Sequence, residues 1–217
     1  MRTTKILIAL LTICSFSFAA AQPVGDKEEG FVSLFDGKTL DGWKANEKPE
    51  AFAVEDGCIV CTSGFAHLFY TGDVNKHDFK NFELRCEFKF IPGSNSGIFF
   101  HTANEGKGLV KKGYECQICS DGHKDPRKTG SLYAIEDVKE SAAKDNEWST
   151  YTIRVEGKHI VLTVNAKVTV DYTEPENPKR EKGRERRVVS SGTFALQGHD
   201  ATSETWFRNI RVKVLPE

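Results

Sequence analysis

Residues Phe82–Phe90 read FELRCEFKF, with an apolar residue at every even position and a charged residue at every odd one. Successive side chains of a β-strand point to opposite faces, so this stretch predicts a strand with one face in the core and one in water. The alternation returns at 151–156, and turns then lead into further strands at His159–Val164 and 168–172. Shorter apolar runs predict strands at 51–54, 59–62, 97–101, 114–118, 192–197 and 206–214.

These ten strands, and the lack of any amphipathic helical run longer than two turns, predict an all-β sandwich or barrel. Fifteen phenylalanines and three tryptophans supply the bulk for a core between two sheets. The length after residue 21 fits one all-β domain or two small ones, and no linker or repeat divides it. We therefore expect a single domain at 22–217, with polar surface loops at 137–147 and 173–187.

The N-terminal residues predict export. Arg2 and Lys5 precede an apolar run at 6–18, and three alanines at 19–21 form a small-x-small cleavage site. This pattern predicts a signal peptide at 1–21, a mature chain beginning at Gln22, and a periplasmic or secreted location. The run is too short for a transmembrane helix, the residues around Cys14 make a poor lipidation site, and no later segment is apolar enough to span a bilayer.

The charge balance argues against binding to nucleic acid or to an acidic membrane. The formal net charge is −1, which gives no electrostatic attraction to a polyanion. One basic run, KREKGRERR at 179–187, is interrupted by acidic residues and preceded by prolines. We interpret it as a solvated surface loop in preference to a binding patch.

Cysteine spacing raises the question of zinc. The chain after residue 21 contains two C-x-x-C pairs and one further cysteine: Cys58, Cys61, Cys116, Cys119 and Cys86. Both pairs lie in predicted strands, where residues three apart point to opposite faces, so neither pair converges on one ion. Buried thiols, with at most one disulfide, fit the pattern better.

Polar side chains share a face on two predicted strands. Glu115 and Gln117 point the same way in one strand, and Gln197 and His199 do so at the end of another. His101 ends a third strand. Each of these alone also fits a solvent-facing sheet, and a histidine at a strand end is commonly a surface residue. Their coincidence favours a site for a polar ligand.

The residue types indicate a ligand rich in hydroxyl groups. Amide and carboxylate side chains bind vicinal hydroxyls, and Tyr133, in a loop at 129–133, is placed to reach over the same face. Gly97 and Phe99 share the face of His101 by alternation, and the glycine leaves space for a ligand. The chain contains no G-x-S-x-G motif and no glycine-rich phosphate loop.

The segment GFVSLFDGKTLDGW at 30–43 resembles the opening signature of the 3-keto-disaccharide hydrolase family. The resemblance extends over nearly all of the chain after the predicted signal peptide, through segments in the family's order at 95–101, 113–117, 129–133, 190–200 and 207–210. It implies a concanavalin A-like jelly roll, in which two antiparallel sheets present a concave face to carbohydrate.

The resemblance also implies activity on glycosides already oxidised at C3, by 1,2-elimination and hydration. Glu115 or His199 would then be the general base, since burial and neighbours can tune either toward neutral pH. His101 would protonate the leaving group, although many relatives carry arginine there. A divalent cation held by Glu115 and a histidine would stabilise the enolate.

Substrate binding is expected from Gln117, Gln197 and Tyr133, with Glu87, on the wet face of its strand, as a weaker candidate. The alternative is a non-catalytic, lectin-like carbohydrate-binding domain on the same fold, because fold alone does not decide function. Glu115 beside two histidines favours catalysis. Ordinary hydrolysis by two carboxylates is less favoured, because the E-x-D-x-x-E motif of jelly-roll glucanases does not occur.

Overall fold

The structure, a computed structural model, describes residues 28–62 and 64–217. The predicted signal peptide at 1–21 and the lipidation question at Cys14 lie outside the described residues. No helix in the described part of the chain has both the length and the apolar composition of a membrane span. Its helical segments are short 3-10 turns, at Pro49–Ala51 and Val74–His77.

The described residues form thirteen β-strands. In chain order they are β1 (Val32–Ser33), β2 (Trp43–Ala45), β3 (Phe52–Glu55), β4 (Cys58–Cys61), β5 (Ala66–Tyr70), β6 (Phe82–Phe90), β7 (Asn95–Thr102), β8 (Tyr114–Cys119), β9 (Ser149–Glu156), β10 (His159–Val164), β11 (Lys167–Thr173), β12 (Thr193–Gly198) and β13 (Thr205–Val214). All ten strands predicted from the sequence are present, and β1, β2 and β5 were not anticipated.

The strands form two antiparallel sheets. The larger has the order β11-β10-β9-β6-β13-β4-β3, with β1 also pairing with β13, and the smaller has the order β2-β5-β12-β7-β8. Neighbours in both sheets are often distant in sequence, as where β6 lies between β9 and β13. The all-β sandwich predicted from the alternation is therefore confirmed.

Alternation on the strands fills the core between the sheets. On β6, Phe82, Leu84 and Phe88 are buried in this core, while the charged residues between them lie on the outer face. On β8, Tyr114, Cys116 and Ile118 point into the core, so Glu115 and Gln117 project from the opposite, concave face of the smaller sheet. The parity of β8 thus positions two polar side chains for a site.

The cysteines are buried thiols. Cys58, Cys61, Cys86, Cys116 and Cys119 are all buried and free, so the described residues form no disulfide. Burial raises the pKa of the Cys86 and Cys119 thiols to about 12. These two groups are therefore protonated at neutral pH.

Candidate active site

A pocket of about 150 Å³ lies on the concave face of the smaller sheet. Its floor comes from β5, β12, β7 and β8, where His67 pairs with Gln197 and Gly97 pairs with Gln117 across neighbouring strands. Loops complete the wall. The lining residues are Phe65, His67, Asn95, Phe99, Leu109, Val110, Lys111, Glu115, Gln117, Asp125, Tyr133, Gly183, Arg184, Arg187, Gln197 and His199.

Glu115 occupies space that a glycine leaves free. Its side chain lies over Gly97 on the neighbouring strand, and a Cβ built at Gly97 would come within 3.2 Å of Glu115 Cγ and 3.3 Å of its Oε1. That approach is tighter than ordinary van der Waals contact, so a larger residue at position 97 would displace the carboxylate. Gly97 therefore sets the position of Glu115.

An arginine supplies the counter-charge for Glu115. Arg187 Nη2 donates to Glu115 Oε2 at 2.7 Å, and Arg187 Nη1 donates to the carbonyl of Tyr133 at 2.6 Å. Both charged side chains are under one-tenth exposed. A buried carboxylate is costly unless it is paired and hydrogen-bonded, and Arg187 provides both interactions.

The segment that carries Arg187 corrects the prediction for residues 179–187, which were expected to form a solvated loop. Arg180 is also buried, and it donates to Glu174 Oε2 at 2.8 Å and to the Tyr114 hydroxyl at 2.8 Å. The basic run therefore folds inward at two arginines. Two of its positive charges are counter-ions for buried carboxylates. The composition of the run does not distinguish this arrangement from a solvated surface loop.

Tyr133 lines the pocket and is held by charged neighbours. Its hydroxyl donates to Asp125 Oδ2 at 3.0 Å, and the guanidinium groups of Arg127, Arg184 and Arg187 lie 4.7–5.1 Å from its ring centroid. Burial and the Asp125 carboxylate raise the pKa of the Tyr133 phenol. Tyr133 therefore stays neutral and presents a fixed ring.

Three lining residues keep a buried polar atom without a partner among the described residues: His67 Nδ1, Gln117 Oε1 and Gln197 Oε1. Burial, with a smaller contribution from the positive charge of nearby His199, lowers the pKa of His67 to about 4, so this imidazole is neutral. Gln197 Nε2 lies 3.4 Å from His67 Nε2. With the Gln197 amide nitrogen as the donor to Nε2, the proton of neutral His67 is on Nδ1. These three lining side chains thus carry one unpartnered donor and two unpartnered acceptors, the kind of buried polar atoms that the hydroxyls and carbonyls of a ligand would satisfy.

His199 lies at the end of β12, with its Nδ1 2.8 Å from Asp200 Oδ2. His123 Nε2 approaches the same oxygen at 3.9 Å. Burial alone would raise the pKa of Asp200, but hydrogen bonds from Thr202 and His199 lower the pKa by a larger amount. The net effect is a pKa well below the ordinary value. Ligand atoms of His123, His199 and Asp200 lie within 4.8 Å of one another. This set omits Glu115, which was expected to share a cation with a histidine and instead faces Arg187.

His101 does not reach the pocket. Its backbone φ of 53° breaks the alternation of β7, so its side chain leaves the face shared by Gly97 and Phe99. It is fully buried, with Nε2 donating to the Lys80 carbonyl at 2.8 Å and Nδ1 accepting from the Ser190 amide at 3.2 Å. Burial lowers the pKa of His101 to about 4, so it is a neutral structural residue in this environment.

Glu87 also lies away from the pocket. It is on β6 of the larger sheet, where its Oε2 accepts from Arg208 Nε at 2.7 Å and its Oε1 from Asn209 Nδ2 at 2.6 Å. Of the residues assigned from the sequence, the structure therefore brings together Glu115, Gln117, Gln197, His199 and Tyr133, and it separates His101 and Glu87 from them.

Sequence reasoning missed His67 and Arg187. His67 lies on β5, whose AHLFY sequence carries the alternation that puts His67 and Phe69 on one face and Leu68 and Tyr70 on the other. That signal was available but short. Arg187 carries no local signal, because its partner Glu115 lies 72 residues earlier in the chain.

Comparisons with known proteins agree with this architecture. A 3-keto-disaccharide hydrolase from Bacteroides thetaiotaomicron is 30% identical over 234 residues, covering 86% of this chain and 79% of the relative. A crystal structure of a candidate glycosyl hydrolase from Parabacteroides distasonis superposes with a TM-score of 0.74 at 23% identity, covering 87% of this chain and 95% of the other. The carbohydrate-binding module CBM66 from Bacillus subtilis gives a TM-score of 0.56 at 13% identity, covering 79% and 95%.

The two structural likenesses confirm the jelly-roll sandwich and concern the fold alone. The sequence match is more specific. Residues 30–213 match the family described as the 3-keto-alpha-glucoside-1,2-lyase-like domain, a span that includes every described strand except the last residue of β13. On this match the protein belongs to the 3-keto-alpha-glucoside-1,2-lyase-like family.

Proposed function

We propose that this protein cleaves glycosides that carry a ketone at C3, 3-keto-disaccharides among them, by elimination across C1–C2 and hydration of the product. The observation that carries the proposal is that Glu115 and His199 line one pocket together with three polar side chains, His67, Gln117 and Gln197, each of which has an unpartnered buried atom. The relative named 3-keto-disaccharide hydrolase supports the substrate class.

The chemistry requires three groups around the sugar ring. A ketone at C3 acidifies the proton on C2, so a general base can remove that proton and leave an enolate. Collapse of the enolate expels the C1 substituent as an alcohol and forms a 3-keto-2-hydroxy-glucal, to which one water then adds. The site must therefore supply a base at C2, a donor at the C3 oxygen and an acid at the leaving oxygen.

Glu115 is the base in this scheme. It is a carboxylate in a water-poor wall, Arg187 holds one of its oxygens, and Gly97 leaves the space in which the other lies. Because both neighbours fix its position before substrate arrives, little reorganisation is needed for proton removal. Arg187 also balances the carboxylate charge in the free enzyme.

His67 is the donor to the C3 oxygen. Its neutral imidazole carries a proton on Nδ1 that has no partner in the described residues. A neutral donor in a buried site stabilises the developing enolate charge by a hydrogen bond and keeps its own proton. The free oxygens of Gln117 and Gln197 accept from sugar hydroxyls on either side.

His199 is the proton donor to the leaving oxygen: its imidazolium form gives the Nε2 proton to that oxygen and returns to the neutral form with its proton on Nδ1. Its Nδ1 faces Asp200, so the imidazole exchanges protons through Nε2. Glu115 on β8 lies level with Phe99 of β7 and Ala195 of β12, and His199 follows Ala195 by four residues, so the base and the acid approach a ligand from different strands and from different levels of the sheet.

The first experiment uses both anomers of 4-nitrophenyl 3-keto-glucoside and the corresponding methyl glycosides. We expect the wild-type protein to release 4-nitrophenol and Glu115→Gln to lose turnover by about 10²–10⁴-fold, the usual contribution of a general base. His199→Gln should lose more activity on the methyl glycoside than on the nitrophenyl glycoside, because nitrophenolate departs without an acid.

The second experiment separates base from acid. A 3-keto-1,5-anhydroglucitol has no leaving group, so exchange of its C2 proton with D₂O reports proton removal alone. Wild type and His199→Gln should catalyse the exchange, whereas Glu115→Gln should not. Binding of 3-keto sugars without exchange or release would show a lectin-like domain and refute the proposal, and turnover of unoxidised disaccharides would indicate ordinary hydrolysis.

Export remains a proposal that rests on residues 1–21 alone. It would be supported by a mature N-terminus at Gln22 in the mass spectrum of protein recovered from the periplasm or medium, and refuted by an intact Met1 in active protein.

A further inference from the structure

A chain of polar contacts runs behind the pocket from β8 to His199. Gln117 Nε2 donates to Asn95 Oδ1 at 3.3 Å, and Asn95 Nδ2 lies 3.4 Å from His123 Nδ1. His123 Nε2 then faces Asp200 Oδ2, which pairs with His199. The chain therefore joins a substrate-binding amide to the proposed acid through Asn95, which lines the pocket, and through His123 and Asp200, which do not.

The proton on His123 can be assigned from its partners. The backbone amide of Asp125 donates to His123 Nδ1 at 3.0 Å, and an amide nitrogen of Asn95 approaches the same atom. A ring nitrogen that accepts from two donors carries no proton, so the proton of neutral His123 is on Nε2. His123 thus directs an N–H at the Asp200 carboxylate.

Both oxygens of Asp200 are committed. Oδ1 accepts from the Thr202 amide at 2.9 Å and from the Thr202 hydroxyl at 2.7 Å. Oδ2 faces Nδ1 of His199 and Nε2 of His123. The carboxylate is therefore held in one orientation, and it accepts the Nδ1 proton of His199.

The loop that carries His123 is fixed as well. Lys128 is buried, and its Nζ donates to the carbonyls of Ser120, Asp121 and His123 at 3.1, 3.3 and 2.7 Å. This ammonium group occupies the turn and orients the backbone around His123. The position of the His123 ring is thus set by a buried contact distinct from the pocket.

We infer that Asp200 and His123 are positioning residues for His199: Asp200 fixes the His199 tautomer so that Nε2 faces the substrate, and His123 orients Asp200. The importance of this arrangement for turnover rests on the proposed function, whereas the assignment of the His199 tautomer rests on the hydrogen bond to Asp200 alone. The arrangement resembles the logic by which a carboxylate orients a histidine in other acid–base sites.

The same three side chains lie close enough to bind a metal ion, but the hydrogen bonds oppose that use. A metal on His123 Nε2 would move the ring proton to Nδ1, where it would face the Asp125 amide hydrogen. Two donors would then point at each other. Metal binding would therefore require the His123 loop to rearrange.

The experiment reads the histidine tautomers by ¹⁵N NMR in the wild-type protein and in Asp200→Asn. We expect wild-type neutral His199 to be protonated at Nδ1, and Asp200→Asn to shift it toward the Nε2–H form, with kcat about 10- to 100-fold lower and KM changed less than threefold. Asp171→Asn is the matched control, because it alters the exposed His159–Asp171 pair, and it should change neither kcat nor the His199 signals.

Variants of His123 test its part separately. His123→Gln keeps an N–H that can reach Asp200 and should retain most of the activity, whereas His123→Leu should approach the loss in Asp200→Asn. A wild-type His199 protonated at Nε2, or an unchanged tautomer in Asp200→Asn, would overturn the inference. A saturable shift of the His123 and His199 signals on adding Zn²⁺ or Mn²⁺ alone, at one ion per chain, would replace it with a metal site. If wild type turns over no 3-keto glycoside, the proposed function fails, and the NMR result still decides the tautomer.

Discussion

Arg187→Gln removes the guanidinium that faces Glu115 inside the pocket wall. The change deletes a 2.7 Å charged hydrogen bond to Glu115 Oε2 and a 2.6 Å hydrogen bond to the Tyr133 carbonyl. Removing one member of a buried ion pair costs about 3–5 kcal/mol, because the other charge remains buried without a partner. We expect the free energy of unfolding to fall by that amount, which is a large part of the stability of an ordinary domain.

The neighbouring residue provides a matched control. Arg186 pairs with Glu105, but these side chains are 51% and 45% exposed, and exposed ion pairs contribute less than about 1 kcal/mol. Urea unfolding followed by tryptophan fluorescence should therefore show a midpoint lowered by roughly 2 M in Arg187→Gln and by a few tenths of that in Arg186→Gln. Equal midpoints in the two variants would refute the view that Glu115 depends on a buried counter-charge.

The double variant Glu115→Gln/Arg187→Gln separates pairing from packing. Both remaining side chains are neutral amides, so no uncompensated charge stays in the wall. We expect the double variant to be more stable than Arg187→Gln alone, with a coupling energy of about 1–3 kcal/mol. A double variant that lost the sum of the two single losses would indicate that the two residues stabilise the fold independently.

Further predictions concern the site, pH and the outer face. If Glu115 is the base, Gly97→Ala should lower kcat about tenfold by displacing the Glu115 carboxylate a few tenths of an ångström, whereas Gly122→Ala, where a Cβ meets its nearest neighbour at 3.6 Å, should leave kcat unchanged. Burial lowers the pKa of His67 and His101 to about 4, below the unfolded value of about 6.5. The free energy of unfolding should therefore be unaffected by these histidines above pH 6.5 and should fall by up to roughly 3 kcal/mol for each histidine as the pH drops toward 4. A urea midpoint that stays constant between pH 7.5 and 4.5 would contradict this prediction. Glu87→Gln should leave kcat within about twofold of wild type, since Glu87 and its partner Arg208 both lie on the larger sheet, away from the pocket. A larger loss of kcat with the 3-keto substrate would show that Glu87 takes part in the site.

Strand positions were predictable because the alternation of apolar and polar residues is a local property. β6 and β9 show it over eight or more residues, and the face of each side chain follows from its parity. The parity of β8 correctly placed Glu115 and Gln117 on the face away from the core. β5 carries the same alternation, with His67 and Phe69 on one face, but over five residues only.

Parity failed at His101 for a backbone reason. The prediction assumed that β7 stays extended to its end, whereas His101 adopts a left-handed conformation with φ of 53°. The pairing with β12 shifts register between Ala195, which lies opposite Phe99, and Thr193, which lies opposite Thr102, so β7 has one extra residue at the level of His101. A one-residue irregularity moves a side chain to the other face, and composition carries no record of it.

Glu115 and Glu174 show why the inward course of residues 179–187 was not predictable from the run itself. A basic loop has the same composition whether its cations meet water or buried carboxylates, so the deciding information lies in the partners. Glu115 follows from parity as a charged residue in mid-sheet, and Glu174, directly after β11, is equally buried. Each buried carboxylate requires a cation because desolvation of an unpaired charge costs more than the fold can supply. Here the loop at 179–187 supplies both cations, Arg180 for Glu174 and Arg187 for Glu115.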